Sequence, residues 1–349
     1  MIAIMAFSEK GVKLGEKLAE SLSEVFGMGS SYVYAPEKYC SSLKIISCEF
    51  SEEFMKQQFE NAKALIFISA LGIAVRKIAP FIKNKTTDPA VISIDELAHY
   101  VIPVLSGHIG GANKLATEIS EILNATTVIT TATDINNKFA VDVWATENQY
   151  YIENPEGIKF LSSAILHGKK IGIFSEFPIE GDLPENFLQN KEELPHKYGL
   201  HIAKKLSSKS KFEYELKVIP KYITIGMGCK RNIPFATLKS VFLDMLKQNN
   251  ISVDLIKCIA TIDLKKDELA LKQLAFRYKL KLIFYTADEL NKVEGEFTKS
   301  EFVKQITSVD NVCERSAVLA SQNGRLIAKK IKNAGVTVAI AEEDWRVRF

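Results

Sequence analysis

The sequence predicts an α/β protein made of two α/β lobes with mostly parallel sheets, joined by a smaller middle domain. Three observations carry this expectation. The 349 residues exceed the ~250–300 over which one hydrophobic core stays undivided. The composition, 47% hydrophobic and 25% charged, is that of folded rather than disordered chains. Short apolar runs of β type alternate with longer stretches of helical period, the order that builds parallel sheets covered by helices.

The alternation starts with a strand at Ile2–Phe7 and a helix near Lys10–Phe26, followed by a strand at Leu43–Cys48 and a helix near Glu52–Ala62. It continues with Leu65–Ser69, a helix near Ile73–Ile82, strands at Ala90–Ile94 and Tyr100–Leu105, a helix near Ala112–Leu123 and a strand at Thr127–Thr131. These elements define a first domain, 1–135. Over 136–219 the periodicity fades and Pro178, Pro184 and Pro195 stand among charges, which suits a small middle domain with long loops and a linker over 176–211. A second alternation opens at Tyr222–Ile225 and closes on Arg325–Lys330 and Thr337–Ala341, giving a third domain, 220–349.

Composition narrows the partners. With 45 basic and 42 acidic residues the net charge is +3, too small for a general nucleic-acid surface. From Lys221 onward, however, there are 22 basic and 15 acidic residues, so the C-terminal third is the candidate face for an anionic ligand. The richest apolar run, Ala64–Val75, is broken by Ser69 and Gly72 and falls short of the ~20 residues of a membrane span. Met1–Phe7 lacks a basic region before it and a cleavage site after it, so it reads as a buried strand rather than a signal peptide. Five widely spaced cysteines without a Cys-x-x-Cys pair predict a reducing cytoplasm and no protein metal site.

In open parallel sheets ligands bind beyond the carboxyl ends of strands, which singles out the loops after Ser69, Leu105 and Thr131. The strongest signal is Ser106-Gly107-His108-Ile109-Gly110-Gly111-Ala112-Asn113, between a strand and an amphipathic helix. Its glycines admit close backbone approach, and uncapped amides at a helix start favour a developing oxyanion. His108 can accept a proton from water there. The competing reading is a tight turn carrying a hydrogen-bonded surface histidine. Thr130-Thr131-Ala132-Thr133-Asp134 brings hydroxyls and a carboxylate that can bind a polar ligand or orient a histidine, or simply cap a helix. Ser69 and Gly72 precede a helix whose Arg76 can pair with a carboxylate.

In the C-terminal lobe, Gly226-Met227-Gly228-Cys229-Lys230-Arg231 joins strand to helix with two cations but without a dinucleotide or P-loop pattern. Cys229 has no histidine after His201 to activate it and reads as a small buried thiol. Lys266 and Glu314 stand at further helix starts.

Taken together, Leu71–Pro80, Asp88-Pro89-Ala90-Val91, Leu105–Asn113 and Ile129–Asp134 resemble the N-terminal domain of the cobalt-precorrin-5A hydrolase family (CbiG) of anaerobic cobalamin biosynthesis. Gly226–Arg231, Lys266-Asp267-Glu268 and Val312–Ala320 resemble its C-terminal domain, with Lys230 and Asn232 standing where arginine and glycine are expected. The resemblance implies a hydrolase that opens the δ-lactone of cobalt-precorrin-5A and releases acetaldehyde to give cobalt-precorrin-5B. Cobalt would arrive inside the tetrapyrrole substrate, with no other cofactor, and other corrin-pathway enzymes would be further partners.

On this reading His108 activates water and Asp134 or Thr131 orients it. The Gly110 and Gly111 amides hold the oxyanion. Ser69, Gly72, Arg76, Ser106, Gly107, Asn113, Thr133, Gly226, Gly228, Lys230, Arg231, Lys266 and Glu314 contact substrate. A neutral His108 base would lose activity below an apparent pKa of about 6 to 7. Two alternatives remain open: a non-catalytic carrier of tetrapyrrole intermediates, and an α/β enzyme for a phosphorylated metabolite.

Overall fold

The computed structural model describes residues 1–349 apart from 28, 41, 85–86, 190–196 and 323. The chain divides into two compact units, Met1–Val143 and Trp144–Phe349. The first unit contains β1 (Ile2–Ala6), α1 (Glu9–Phe26), β2 (Ser31–Ala35), β3 (Ile45–Ser47), α2 (Glu52–Asn61), β4 (Ala64–Ile68) and α3 (Leu71–Ile78). It continues with β5 (Ala90–Ile94), β6 (Tyr100–Leu105), α4 (Ala112–Leu123), β7 (Thr126–Thr127) and α5 (Ala132–Ile135), and α6 (Val141–Glu147) runs into the second unit. Helix starts follow local chemistry. The Ser8 hydroxyl accepts from the Gly11 amide at 3.1 Å and that of Ser51 from Phe54 at 3.3 Å, filling donors that a helix start leaves open.

The seven strands lie in the order β3-β2-β1-β4-β5-β6-β7. Alternate residues of each strand enter different cores, as the period of two requires. Ile2, Ile4, Ile66 and Ile92 pack with Leu18, Leu22 and Ile119 under α1 and α4. Met5, Leu65, Phe67 and Val91 pack with Met55, Phe59 and Ile78 under α2 and α3. Burial on both faces explains why these strands read as continuous apolar runs.

The α/β class is as expected, but one strand direction is not. Strands β1 to β5 pair in parallel, whereas β6 runs antiparallel to β5, with Leu105 opposite Val91. Strand β7 then pairs with β6 in parallel. The loops after Leu105 and Thr131 therefore open at the edge where β5 begins, opposite the edge reached by Ser69. The five residues 95–99 between β5 and β6 are too few for the crossover that parallel pairing needs.

In the second unit, β8 (Tyr150–Ile152), α7 (Glu156–Leu166), β9 (Ile171–Ser175), β10 (Ile179–Glu180), β11 (Phe187–Gln189), β12 (Tyr198–Ile202) and β13 (Tyr214–Pro220) come first. All of these strands but β10 build a sheet ordered β11-β9-β12-β13-β8 from the stretch whose patterning is weakest in the sequence. Pro195 and the rest of 190–196, within the expected linker, lie outside the described residues.

Then follow β14 (Ile223–Cys229), α8 (Phe235–Gln248), β15 (Ile256–Ile262), α9 (Leu269–Arg277), β16 (Lys281–Tyr285), α10 (Ala287–Asn291) and α11 (Glu301–Thr307). Last come α12 (Val312–Ala320), β17 (Arg325–Asn333), β18 (Val336–Glu342) and β19 (Val347–Arg348). Their sheet has the order β16-β15-β14-β18-β17, parallel over β14 to β16 and antiparallel at β18 and β17, while β19 pairs with β10.

Helix α12 lies so close on β14 that a Cβ at Gly226 would stand 1.8 Å from the Cys313 carbonyl oxygen. Gly226→Ala must push the helix off the strand and should destabilise the protein by about 3 kcal/mol in denaturant titration. Gly72→Ala, on α3 with nothing within 4 Å of the added Cβ, should instead stabilise by roughly 0.5 kcal/mol through helix propensity.

Candidate active site

The loop after β6 is built by its glycines. Ser106 turns the chain with φ 57°, and its hydroxyl donates to the Asp88 carbonyl at 3.0 Å. A Cβ at Gly110 would meet Ser106 Cβ at 2.3 Å, and Gly111 caps α4 with φ 82°. At Gly107 a Cβ would meet Asn113 Oδ1 at 2.6 Å, so that glycine makes room for the Asn113 amide group. Asn113 in turn donates through Nδ2 to Thr131 Oγ1 at 3.0 Å and to Asp134 Oδ2 at 2.9 Å, tying this loop to the one after β7.

His108 stands at the centre, its side chain 12% exposed. Nε2 lies 2.9 Å from Asp134 Oδ2 and 3.3 Å from Thr133 Oγ1. Nδ1 lies 3.1 and 3.2 Å from the two carboxylate oxygens of Asp142, at the start of α6. The hydrogen bond that His108 donates to Asp142 raises its pKa to about 9, against the opposing effect of burial and with further help from Asp134. Burial pushes the Asp142 carboxyl up, but the His108 hydrogen bond and charge outweigh it and hold it below its ordinary value. This raised proton affinity favours an imidazolium between the two carboxyl groups, whereas the sequence reading expects a neutral base.

The other expected roles divide. Thr131, Thr133 and Asp134 join His108 and Asn113 because β6 and β7 end at the same edge. Ser69, at the opposite edge, is buried, with its amide on the Ile94 carbonyl and its hydroxyl on that of Ala70. Gly72 and Arg76 lie exposed on α3. The helix-start amides are mostly taken: Gly111 donates to the His108 carbonyl at 2.8 Å, Ala112 to Ser106 and Asn113 to Gly107. Of the expected oxyanion donors, Gly111 is thus occupied by its own loop, while the Gly110 amide has no partner among the described residues.

In the second unit, Gly226 serves packing under α12, and a Cβ at Gly228 would meet Thr337 Oγ1 at 2.6 Å. Glu314 is fully buried and accepts from the Thr298 amide and hydroxyl, Asn311 Nδ2 and the Lys330 amide. Its lone pairs are filled by the fold, which corrects its expected contact with substrate. Lys230, Arg231 and Lys266 are exposed beyond the carboxyl ends of β14 and β15. Cys229 is half-buried rather than buried, and what burial it has pushes its thiol up to about 11. Among the described residues no group of three or more His, Cys, Asp or Glu side chains is placed to hold a metal ion, and no helix is long and apolar enough to cross a membrane.

Asp142 is the residue that sequence reasoning missed. It falls beyond residue 135, where the periodicity of the sequence fades. A carboxylate between two valines, Val141 and Val143, was the one local sign of a buried acid.

Comparison with known proteins identifies the family. The family described as Cobalamin synthesis G N-terminal matches residues 53–134, which hold His108, Asn113, Thr131 and Asp134, and Cobalamin synthesis G C-terminus matches 223–341. The chain is similar to the cobalt-precorrin-5A hydrolase of Priestia megaterium, with 31% identity over 97% of this chain and 94% of the relative. It is 33% identical to the cobalt-precorrin-5A hydrolase of Salmonella typhimurium strain LT2, over 82% of this chain and 83% of the relative. With the glycine loop, the threonine run and both matched domains accounted for along one chain, the protein belongs to the cobalt-precorrin-5A hydrolase (CbiG) family of cobalamin biosynthesis.

Proposed function

We propose that this chain opens the δ-lactone of cobalt-precorrin-5A and releases acetaldehyde, giving cobalt-precorrin-5B, with cobalt carried in by the substrate. The observation that supports a catalytic role most directly is the His108 imidazole held between carboxylates of unequal exposure, 36% for the Asp134 side chain and 9% for Asp142.

With its proton affinity raised by the Asp142 and Asp134 carboxylates, His108 enters the reaction on this reading as an acid rather than as the base expected from sequence. The exposed Asp134 carboxylate is then the base for water. As the water oxygen bonds to the lactone carbonyl carbon, its proton passes to Asp134. The Gly110 amide is the loop donor left for the oxyanion. The ring C–O bond breaks and the departing alkoxide takes the Nε2 proton of His108. Now neutral, His108 takes that proton back from the new hydroxyl while the adjacent C–C bond breaks and acetaldehyde forms. The electron pair stays with the macrocycle, which takes up the proton held by Asp134 and so restores its carboxylate. Exposed Lys230, Arg231 and Lys266 are assigned to the substrate's carboxylates.

Anaerobic incubation with the lactone, followed by mass analysis of the ring product and an acetaldehyde assay, tests the reaction; a carrier would return the substrate unchanged. His108→Ala, which takes the imidazolium away from the buried Asp142 carboxylate, should be less stable by about 3 kcal/mol, and the folded variant should bind nearly as the parent does yet hydrolyse roughly 100- to 10,000-fold more slowly. Near-normal turnover by this variant would remove His108 from the chemistry.

The pH profile should fall on its alkaline side. The imidazolium is present below the raised value and lost as pH climbs through about 9, so kcat/KM should decline there; a rise toward pH 9 would mean that neutral His108 attacks first. Replacing Lys230 and Arg231 together by Ala should raise KM roughly tenfold and change kcat little. Loss of turnover at unchanged affinity would contradict their assignment to binding.

A further inference from the structure

We propose that Asp142 is a positioning residue for the hydrolysis, fixing Nε2 as the reacting nitrogen of His108 and keeping the imidazole in its acidic form for ring opening. This role rests on the lactone reading above. Two titratable groups face His108 among the described residues, Asp134 from α5 and Asp142 from α6, and the geometry separates their tasks.

Asp142 approaches Nδ1 with both oxygens, at 3.1 and 3.2 Å, and its Oδ1 also accepts from the Val143 amide at 3.1 Å. Its side chain is only 9% exposed, and a buried carboxylate gains most from a facing cation, so it holds the ring. Asp134 contacts Nε2 through one oxygen, which it shares with Asn113 Nδ2. Being exposed, it can turn to water and release Nε2 to the substrate. Anchoring of Nδ1 thus leaves one nitrogen free to react, and the buried carboxylate keeps a proton on it until the alkoxide forms.

The test uses the full-length protein. In Asp142→Asn, NMR titration of the His108 ring without substrate should show proton affinity at least tenfold weaker than in the parent. The alkaline limb of the rate profile should move down by the same interval, and kcat should fall about 100-fold at nearly constant KM. Asp142→Glu should restore the titration and part of kcat. A folded Asp142→Asn protein in which His108 titrates as in the parent, or kcat stays within twofold, would overturn the assignment. Should Asp142→Asn not fold, Asp142→Glu decides alone: a carboxylate displaced by one methylene should cut kcat about tenfold while the alkaline limb stays in place, and unchanged kcat overturns the role. Parent enzyme that releases no acetaldehyde would overturn the lactone reading, while the NMR titration still reports whether Asp142 holds the imidazole.

Discussion

Antiparallel pairing of β6 with β5 is the constraint on which the candidate site depends. Each helical crossover between parallel strands returns the chain to the same edge of a sheet, and such a crossover needs a dozen or more residues. Only 95–99 connect β5 to β6, so the chain turns straight back. The loop after β6 then opens beside Asp88, where Ser106 is bonded, and α4 carries the chain into β7 parallel to β6. Two successive strand ends thus deliver His108 and Thr131–Asp134 to one place. Strand β4 points the other way and delivers Ser69 to the far edge.

The same topology gives glycine two different uses. Around His108, Gly107 and Gly110 stand against Asn113 and Ser106 at distances no Cβ could occupy, and the loop closes on an amide side chain that bridges Thr131 and Asp134. At Gly226 the close neighbour is the backbone of α12, so the missing side chain serves packing of a helix on a strand. Both motifs join strand to helix, and the identity of the neighbour distinguishes them. Buried acids divide in the same way. Glu314 has its oxygens filled by backbone and side-chain donors from its own surroundings, whereas Asp142 is compensated by an imidazole whose other nitrogen meets an exposed carboxylate.

That arrangement is self-consistent electrostatically. Removing a carboxylate from water is unfavourable unless a cation stands beside it, so the buried Asp142 favours a charged His108. The charged ring in turn holds Asp142 ionised. Asp134, partly in water, adds to the ring's proton affinity at less desolvation cost. The proton on Nε2 is therefore the mobile one, bounded on one side by a fixed ion pair and on the other by a group that can exchange with solvent.

Much of this was determined by the sequence alone. Continuous apolar runs such as Ala64–Ile68 define strands buried on both faces, amphipathic stretches define the helices between them, and Ser106–Asn113 with Thr130–Asp134 carry the chemistry of the site within short segments. Local pattern is enough for these because their spacing repeats with the period of a helix or strand. The reversal at β6 departs from the parallel order expected of the alternation, although the five residues before it are too few for a crossover. Tertiary structure alone decided that Gly226 and Glu314 face packed backbone, and that Asp142, 34 residues from His108, grips its Nδ1. Such pairings depend on which strand edges and helix ends meet in space, and no periodicity along the chain encodes a contact between segments that only folding brings within hydrogen-bonding distance.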